Sequence, residues 1–183
     1  MKKIYILLSK KGTMPAQVIH KIKGGRFAHV SLSLTPSTDC FYSFARRKIH
    51  NTLVAGFVTE NIHTGVFSWY PECDCALYMM DVTDKAYDAI KAGITDFTKN
   101  YKKAKYNFIG MLPLAFGIKI KRKYRLTCSQ FVALMLHRTG EIKLPKDPFL
   151  MLPNDFMDIE GLKVIYEGPL KDCAIPSTAY AHT

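Results

Sequence analysis

A short β-rich run, Ile4 to Ser9, opens the patterned part of the chain and predicts a first strand. Met14 to Lys23 predicts a short helix, with Thr13 as N-cap, Pro15 near its first turn and Gly24-Gly25 as its stop. From His29 to Thr35 the period becomes two. Val30, Leu32 and Leu34 share one face, while His29, Ser31 and Ser33 share the other. Pro36 to Asp39 is turn-forming, and Cys40 to Ala45 predicts the second strand of a hairpin.

Ile49 to Gly65 is polar and glycine-containing, with some extended backbone. Val66 to Tyr70 and Cys75 to Val82 predict further strands. Asp84 opens an amphipathic helix to about Tyr101, with Tyr87, Ile90, Ile94 and Phe97 at spacings of three and four. Tyr106 to Ile120 is apolar, is broken by Pro113 and Gly117, and fits neither template. Thr127 to Thr139 is the clearest helix: Thr127 and Gln130 form a capping-box pair and Gly140 ends it. A turn at Pro153 to Asp155 and a late strand, Leu162 to Glu167, complete the pattern. The expectation is an α+β fold, an antiparallel sheet packed against helices. Without repeats, linkers or a composition shift, residues 1–183 read as one domain, with 174–183 as a loose tail.

Composition supports a packed chain: 48% of residues are apolar and 22% charged, which is globular rather than disordered. No run of 18 apolar residues occurs. The apolar stretch at the start is short, is followed at once by Lys10 and Lys11, and has no small-residue cleavage site, so a cytoplasmic location is expected. The five cysteines form no disulfide framework, and their spacing points to neither a metal site nor a cofactor. The net charge of +11 suits either a solvated basic face or an anionic partner, such as a membrane surface, an acidic ligand or nucleic acid, though no specific nucleic-acid motif accompanies it.

Cys128 stands one position after the Thr127 cap, in the first turn of its helix. Free N–H groups and the helix dipole favour negative charge there. The same groups can donate to the oxyanion that forms when a thiolate attacks a carbonyl. The alternative is a small buried residue that opens a helix. His29, opposite the apolar face of its strand, is the natural base, and Ser43 is near the cross-strand position that would orient the imidazole. Arg46, Arg47 and Lys48 follow on that strand as candidate receivers of a substrate carboxylate or phosphate.

Phe27-Ala28-His29-Val30-Ser31-Leu32, followed much later by Thr127-Cys128-Ser129-Gln130-Phe131-Val132, resembles the circularly permuted papain-like hydrolases. These are the permuted NlpC-like group with its YycO-like bacterial proteins and, more distantly, the lecithin–retinol acyltransferase-like enzymes. The histidine strand comes about 100 residues before the cysteine helix, which is the permuted order. The resemblance also covers Tyr42-Ser43-Phe44-Ala45-Arg46, Ala55-Gly56-Phe57-Val58, Tyr106-Asn107-Phe108 and Pro153-Asn154-Asp155-Phe156. It implies a permuted papain-like fold, a sheet or barrel with the cysteine at a helix N-terminus. Cys128 matches the nucleophile and His29 the base. Many members carry a third polar residue, often Glu or His, on the next strand; the position here is Ser43, with Glu60 as the alternative. Tyr106, Arg46 and Gln130 are the substrate-binding candidates.

The function expected is a Cys-His hydrolase or acyltransferase working through an acyl-enzyme on an amide, thioester or lipid ester. Small-molecule, peptide and lipid acyl substrates all remain open. The alternative is a non-catalytic basic domain that binds anionic lipid or nucleic acid. A third reading is a redox-sensing thiol, for which the sequence offers no obvious resolving cysteine.

Overall fold

The computed structural model describes residues 1–10, 24–48, 51–107, 110, 113–114 and 116–175. The expected helix at Met14 to Lys23 lies outside them, as do parts of Tyr106 to Ile120 and residues 176–183 of the tail.

Eight strands form one sheet: β1 (Lys2–Ser9), β2 (His29–Ser33), β3 (Phe41–Lys48), β4 (Asn51–Glu60), β5 (Asp74–Val82), β6 (Lys105–Tyr106), β7 (Arg125–Leu126) and β8 (Lys163–Pro169). The order across the sheet is β7-β6-β4-β3-β2-β1-β5-β8. All neighbours are antiparallel except β6 and β7, which run parallel. The sheet is therefore mixed and, among the described residues, ends in two edges. The architecture is α+β, with helices α1 (Asp84–Lys99) and α2 (Cys128–His137) packed on the sheet.

From Ile4 to Leu8, β1 is apolar because it is covered on both faces. Ile4, Ile6 and Leu8 enter the main core, while Tyr5 and Leu7 enter a second core with Phe41, Phe67, Cys75, Leu77 and Cys173. In the main core four phenylalanines, Phe44 of β3, Phe57 of β4, Phe97 of α1 and Phe131 of α2, all touch one another. Their ring centroids lie 5.3 to 6.0 Å apart. Aromatic pairs of this kind add roughly 0.5–1.5 kcal/mol each beyond area burial. The tetrad fixes α2, and so the residue that opens it, against β3 and β4.

Four expectations change. Ile49 to Gly65 contains a ten-residue strand, β4, whose Ala55 and Phe57 are buried. Gly56, which made this stretch look loop-like, is where the chain packs too closely for a side chain: a Cβ there would sit 2.1 Å from the Ala104 carbonyl oxygen. Val66 to Tyr70 is no strand but a 3-10 turn over Phe67–Trp69, hemmed by Gly65 at φ 64° and by Pro71. The turn at Pro153 extends into a 3-10 helix, Pro153–Asp158. The late strand is displaced slightly, to Lys163–Pro169.

Candidate functional site

The cysteine helix forms for the local reason its sequence states. Thr127 has extended backbone, its hydroxyl accepts from the Gln130 N–H at 3.2 Å, and the Gln130 Oε1 accepts from the Thr127 N–H at 3.1 Å. This capping box satisfies two of the donors that a helix start leaves open. Cys128 follows as the first helical residue, 3% exposed.

His29 begins β2 opposite Ser9, the last residue of β1. The approach to it is clamped by Asn154. The Asn154 Oδ1 accepts from the N–H groups of Arg26 and Phe27 at 2.8 and 2.9 Å, and its Nδ2 donates to the Phe27 carbonyl at 2.8 Å. Gly25, at φ 116°, passes so close that a Cβ would meet the Asn154 amide at 2.3 Å.

The imidazole is 4% exposed and lies against the Phe67 ring, centroids 6.1 Å apart. Its Nε2 lies 3.1 and 3.0 Å from the two carboxylate oxygens of Glu60, the last residue of β4. The Cys128 thiol is close enough to the ring to act on its titration. With Nε2 held by the carboxylate, Nδ1 is the nitrogen left for the sulfur. Burial alone would push the imidazolium form down. The Glu60 charge, the Cys128 thiol and the hydrogen bond with Glu60 outweigh it, and His29 is held well above the ordinary 6.5. The structure thus pairs Glu60 of β4 with His29 of β2 and sets Cys128, at the start of α2, beside the ring.

Ser43 is not in that group. Its buried hydroxyl donates to the Val30 carbonyl at 2.7 Å, so the backbone of β2 takes it, and Glu60 is the partner of His29. Gln130 is likewise occupied: beyond the cap, its Nε2 donates to the Phe149 carbonyl at 3.0 Å, and its side chain holds the helix start rather than a substrate. Tyr106 is buried in the main core on β6, paired with Leu126 just before the cysteine helix. Arg46 is partly buried and lines a cavity of about 420 Å³ on the outer side of Glu60. Neighbouring Arg47 is fully engaged. It donates to the carbonyls of Phe57, Tyr101 and Ala104 at 3.3, 2.7 and 2.6 Å, and stacks 3.9 Å over the Tyr101 ring.

Two site residues carried no chemical signal in the sequence. Asn154, the clamp, lies 127 residues from the backbone it holds. Asn107 is 1% exposed; its N–H donates to the Leu126 carbonyl and its Oδ1 accepts from the Gly110 N–H, each at 3.1 Å. That leaves its buried Nδ2 without a hydrogen-bond partner among the described residues. Both asparagines sit inside motifs of the family resemblance.

His63 and His137 are exposed and apart from that group. The five cysteines are free thiols, and no cluster of three or more metal-ligating side chains occurs among the described residues. Cys75 and Cys173 are both buried in the second core, which does not include Cys128. No described helix is long and apolar enough to cross a membrane. Comparison of the chain with protein-family models and with curated proteins finds no match.

Proposed function

We propose that this protein is a cysteine hydrolase or acyltransferase of the permuted papain-like kind, with Cys128 as nucleophile, His29 as acid–base and Glu60 as the group that orients and charges the imidazole. The observation that carries the reading is the buried Glu60–His29 pair with Cys128 beside the imidazole. A thiol–imidazole–carboxylate series of this kind is the arrangement that activates a nucleophile.

The proton of the Cys128 thiol passes to Nδ1 of His29, which gives a thiolate and an imidazolium. Glu60 stabilises the imidazolium through Nε2–H. The thiolate attacks the substrate carbonyl carbon, and the carbonyl π-electrons move to oxygen. The backbone N–H groups of the first turn of α2 receive that oxyanion. Collapse expels the amine, alcohol or thiol, which takes the proton from imidazolium. Water, or an acyl acceptor, then attacks the thioester with neutral His29 as base, and Cys128 leaves as thiolate.

The test is the pH dependence of iodoacetamide alkylation at Cys128, read by mass spectrometry, in wild type and His29→Ala. The reading expects reaction well below pH 8 that is lost without His29. A Cys128 that reacts no faster than a free thiol, or equally in both proteins, overturns it and leaves the basic surface as the feature to explain.

A further inference from the structure

The cavity on the far side of Glu60 is bounded by Arg46, Thr59, Glu60, Asn61, Phe67 and Tyr101, among others, and holds about 420 Å³. It shares two walls with the candidate site. Glu60 is the hydrogen-bond partner of His29, and Phe67 is the ring that packs on it. A molecule in this cavity is one side chain away from the imidazole.

Its wall carries two carboxylates, Asp39 and Glu60, and two guanidiniums, Arg46 and Arg47, which differ in how they are partnered. The Glu60 carboxylate is turned to His29. Asp39 accepts from the Asn61 amide at 2.8 Å and from the Ser37 hydroxyl at 3.1 Å. The Arg47 guanidinium is spent on three backbone carbonyls and the Tyr101 ring. Arg46 alone has neither a hydrogen bond nor an ion pair among the described residues, and its Nε is buried without a partner. Guanidinium has five donors in a planar fork and no way to lose its charge. Left half-buried and unpaired it is unfavourable, and such a group calls for an explanation. A planar or tetrahedral oxyanion is the partner its geometry fits best. The net charge of +11 would draw such a ligand toward the protein.

We propose that this cavity is a recognition pocket for the anionic end of the substrate, a carboxylate or a phosphate, with Arg46 as its counter-ion. The inference rests on the hydrolase reading above and narrows it: the preferred substrates carry an oxyanion remote from the scissile carbonyl. The neutral carbonyl is presented to Cys128, and the negative group is held beyond Glu60 by the guanidinium. Thr59 and Asn61 supply neutral polar groups on the same wall.

Two measurements test it. In Cys128→Ser protein, glutarate and phenyl phosphate are titrated by NMR, with Arg46→Ala and the charge-conserving Arg46→Lys alongside. Binding of at least one anion should weaken tenfold or more in Arg46→Ala and less in Arg46→Lys. Which anion binds distinguishes carboxylate from phosphate. In parallel, wild type is assayed on mono-p-nitrophenyl glutarate and the uncharged p-nitrophenyl valerate. The anionic ester should have at least a tenfold higher kcat/KM, and Arg46→Ala should erase that preference. Equal kcat/KM for the two esters, or a preference that survives in Arg46→Ala, overturns the pocket assignment and leaves the hydrolase reading standing. Absence of Cys128-dependent turnover of either ester overturns both. Loss of valerate turnover in Arg46→Ala together with retained anion binding overturns the recognition role and makes Arg46 structural.

Discussion

Glu60→Gln is the substitution that separates charge from shape at the site. Glutamine keeps the length of the side chain and a neutral hydrogen bond to Nε2, and removes only the negative charge. In the native protein burial pulls the imidazolium down and the Glu60 charge leads the forces that raise it. Removing that charge lets burial act with less opposition, so the His29 value falls. A hydrogen bond to a charged group contributes roughly 1.5–3 kcal/mol and a neutral one roughly 0.5–1.5, so the exchange costs about 1–2 kcal/mol. At 1.36 kcal/mol per tenfold, that is about 5–30-fold less thiolate–imidazolium pair. The assay is the second-order rate of iodoacetamide alkylation at Cys128 from pH 5 to 9, which should drop by this factor at pH 7. Stability carries its own sign. Because the folded His29 value is raised, its contribution is fully present below 6.5 and is lost as pH rises through the folded value. Glu60→Gln should therefore lose more stability at pH 5.5 than at pH 9. An unchanged alkylation profile, or a larger loss at high pH, would refute the reasoning.

Ser43→Ala should leave Cys128 alkylation within twofold of wild type and cost about 1 kcal/mol in urea unfolding, because the hydroxyl serves the Val30 carbonyl rather than the imidazole. Asn154→Ala removes three hydrogen bonds to the Arg26–Phe27 backbone and should cost about 2–4 kcal/mol by the same measurement. It should also slow Cys128 alkylation, since His29 is two residues beyond the clamp. Gly56→Ala drives a methyl group toward the Ala104 carbonyl and the Arg47 guanidinium, and should lower stability by roughly 1–3 kcal/mol, or more if β4 and β6 part. A Gly56→Ala protein with native stability would show that the close approach is not real.

Local signals in the sequence carried far. The capping box at Thr127, the alternation from Val30 to Leu34 and the spacing of Tyr87, Ile90, Ile94 and Phe97 each act within one element, and each reappears in the structure. Cys128 and His29 were named by such local features together with a family resemblance. The third partner was not legible in the same way. A hairpin argument looks to the adjacent strand and finds Ser43, whereas Glu60 reaches His29 from the strand after that. Its position depends on the register of β3 with β4, which shifts between Arg46 and Lys48. β4 itself was obscured because Gly56, normally a weak strand residue, is needed where Ala104 comes close. Val66 to Tyr70 failed in the opposite direction. Its aromatic and β-branched residues suit a strand, but Gly65 and Pro71 leave room only for a turn. The Asn154 clamp belongs to contacts between distant segments, which no periodicity encodes.

That distance has a consequence for the order of events during synthesis. His29 and Glu60 leave the ribosome early, and both can enter the sheet while the cysteine helix is still being made. About 100 residues separate His29 from Cys128, and Asn154 arrives later still. Contacts across such separations are slow to form, because the entropy of closing the intervening loop comes before their reward. On the proposed reading, an unfinished chain carries Cys128 without its partners, and the Glu60–His29–Cys128 grouping is complete only when segments far apart in sequence have met. Thiol reactivity would on that reading be a clock for the completed fold, with a growing chain kept chemically silent by its own topology.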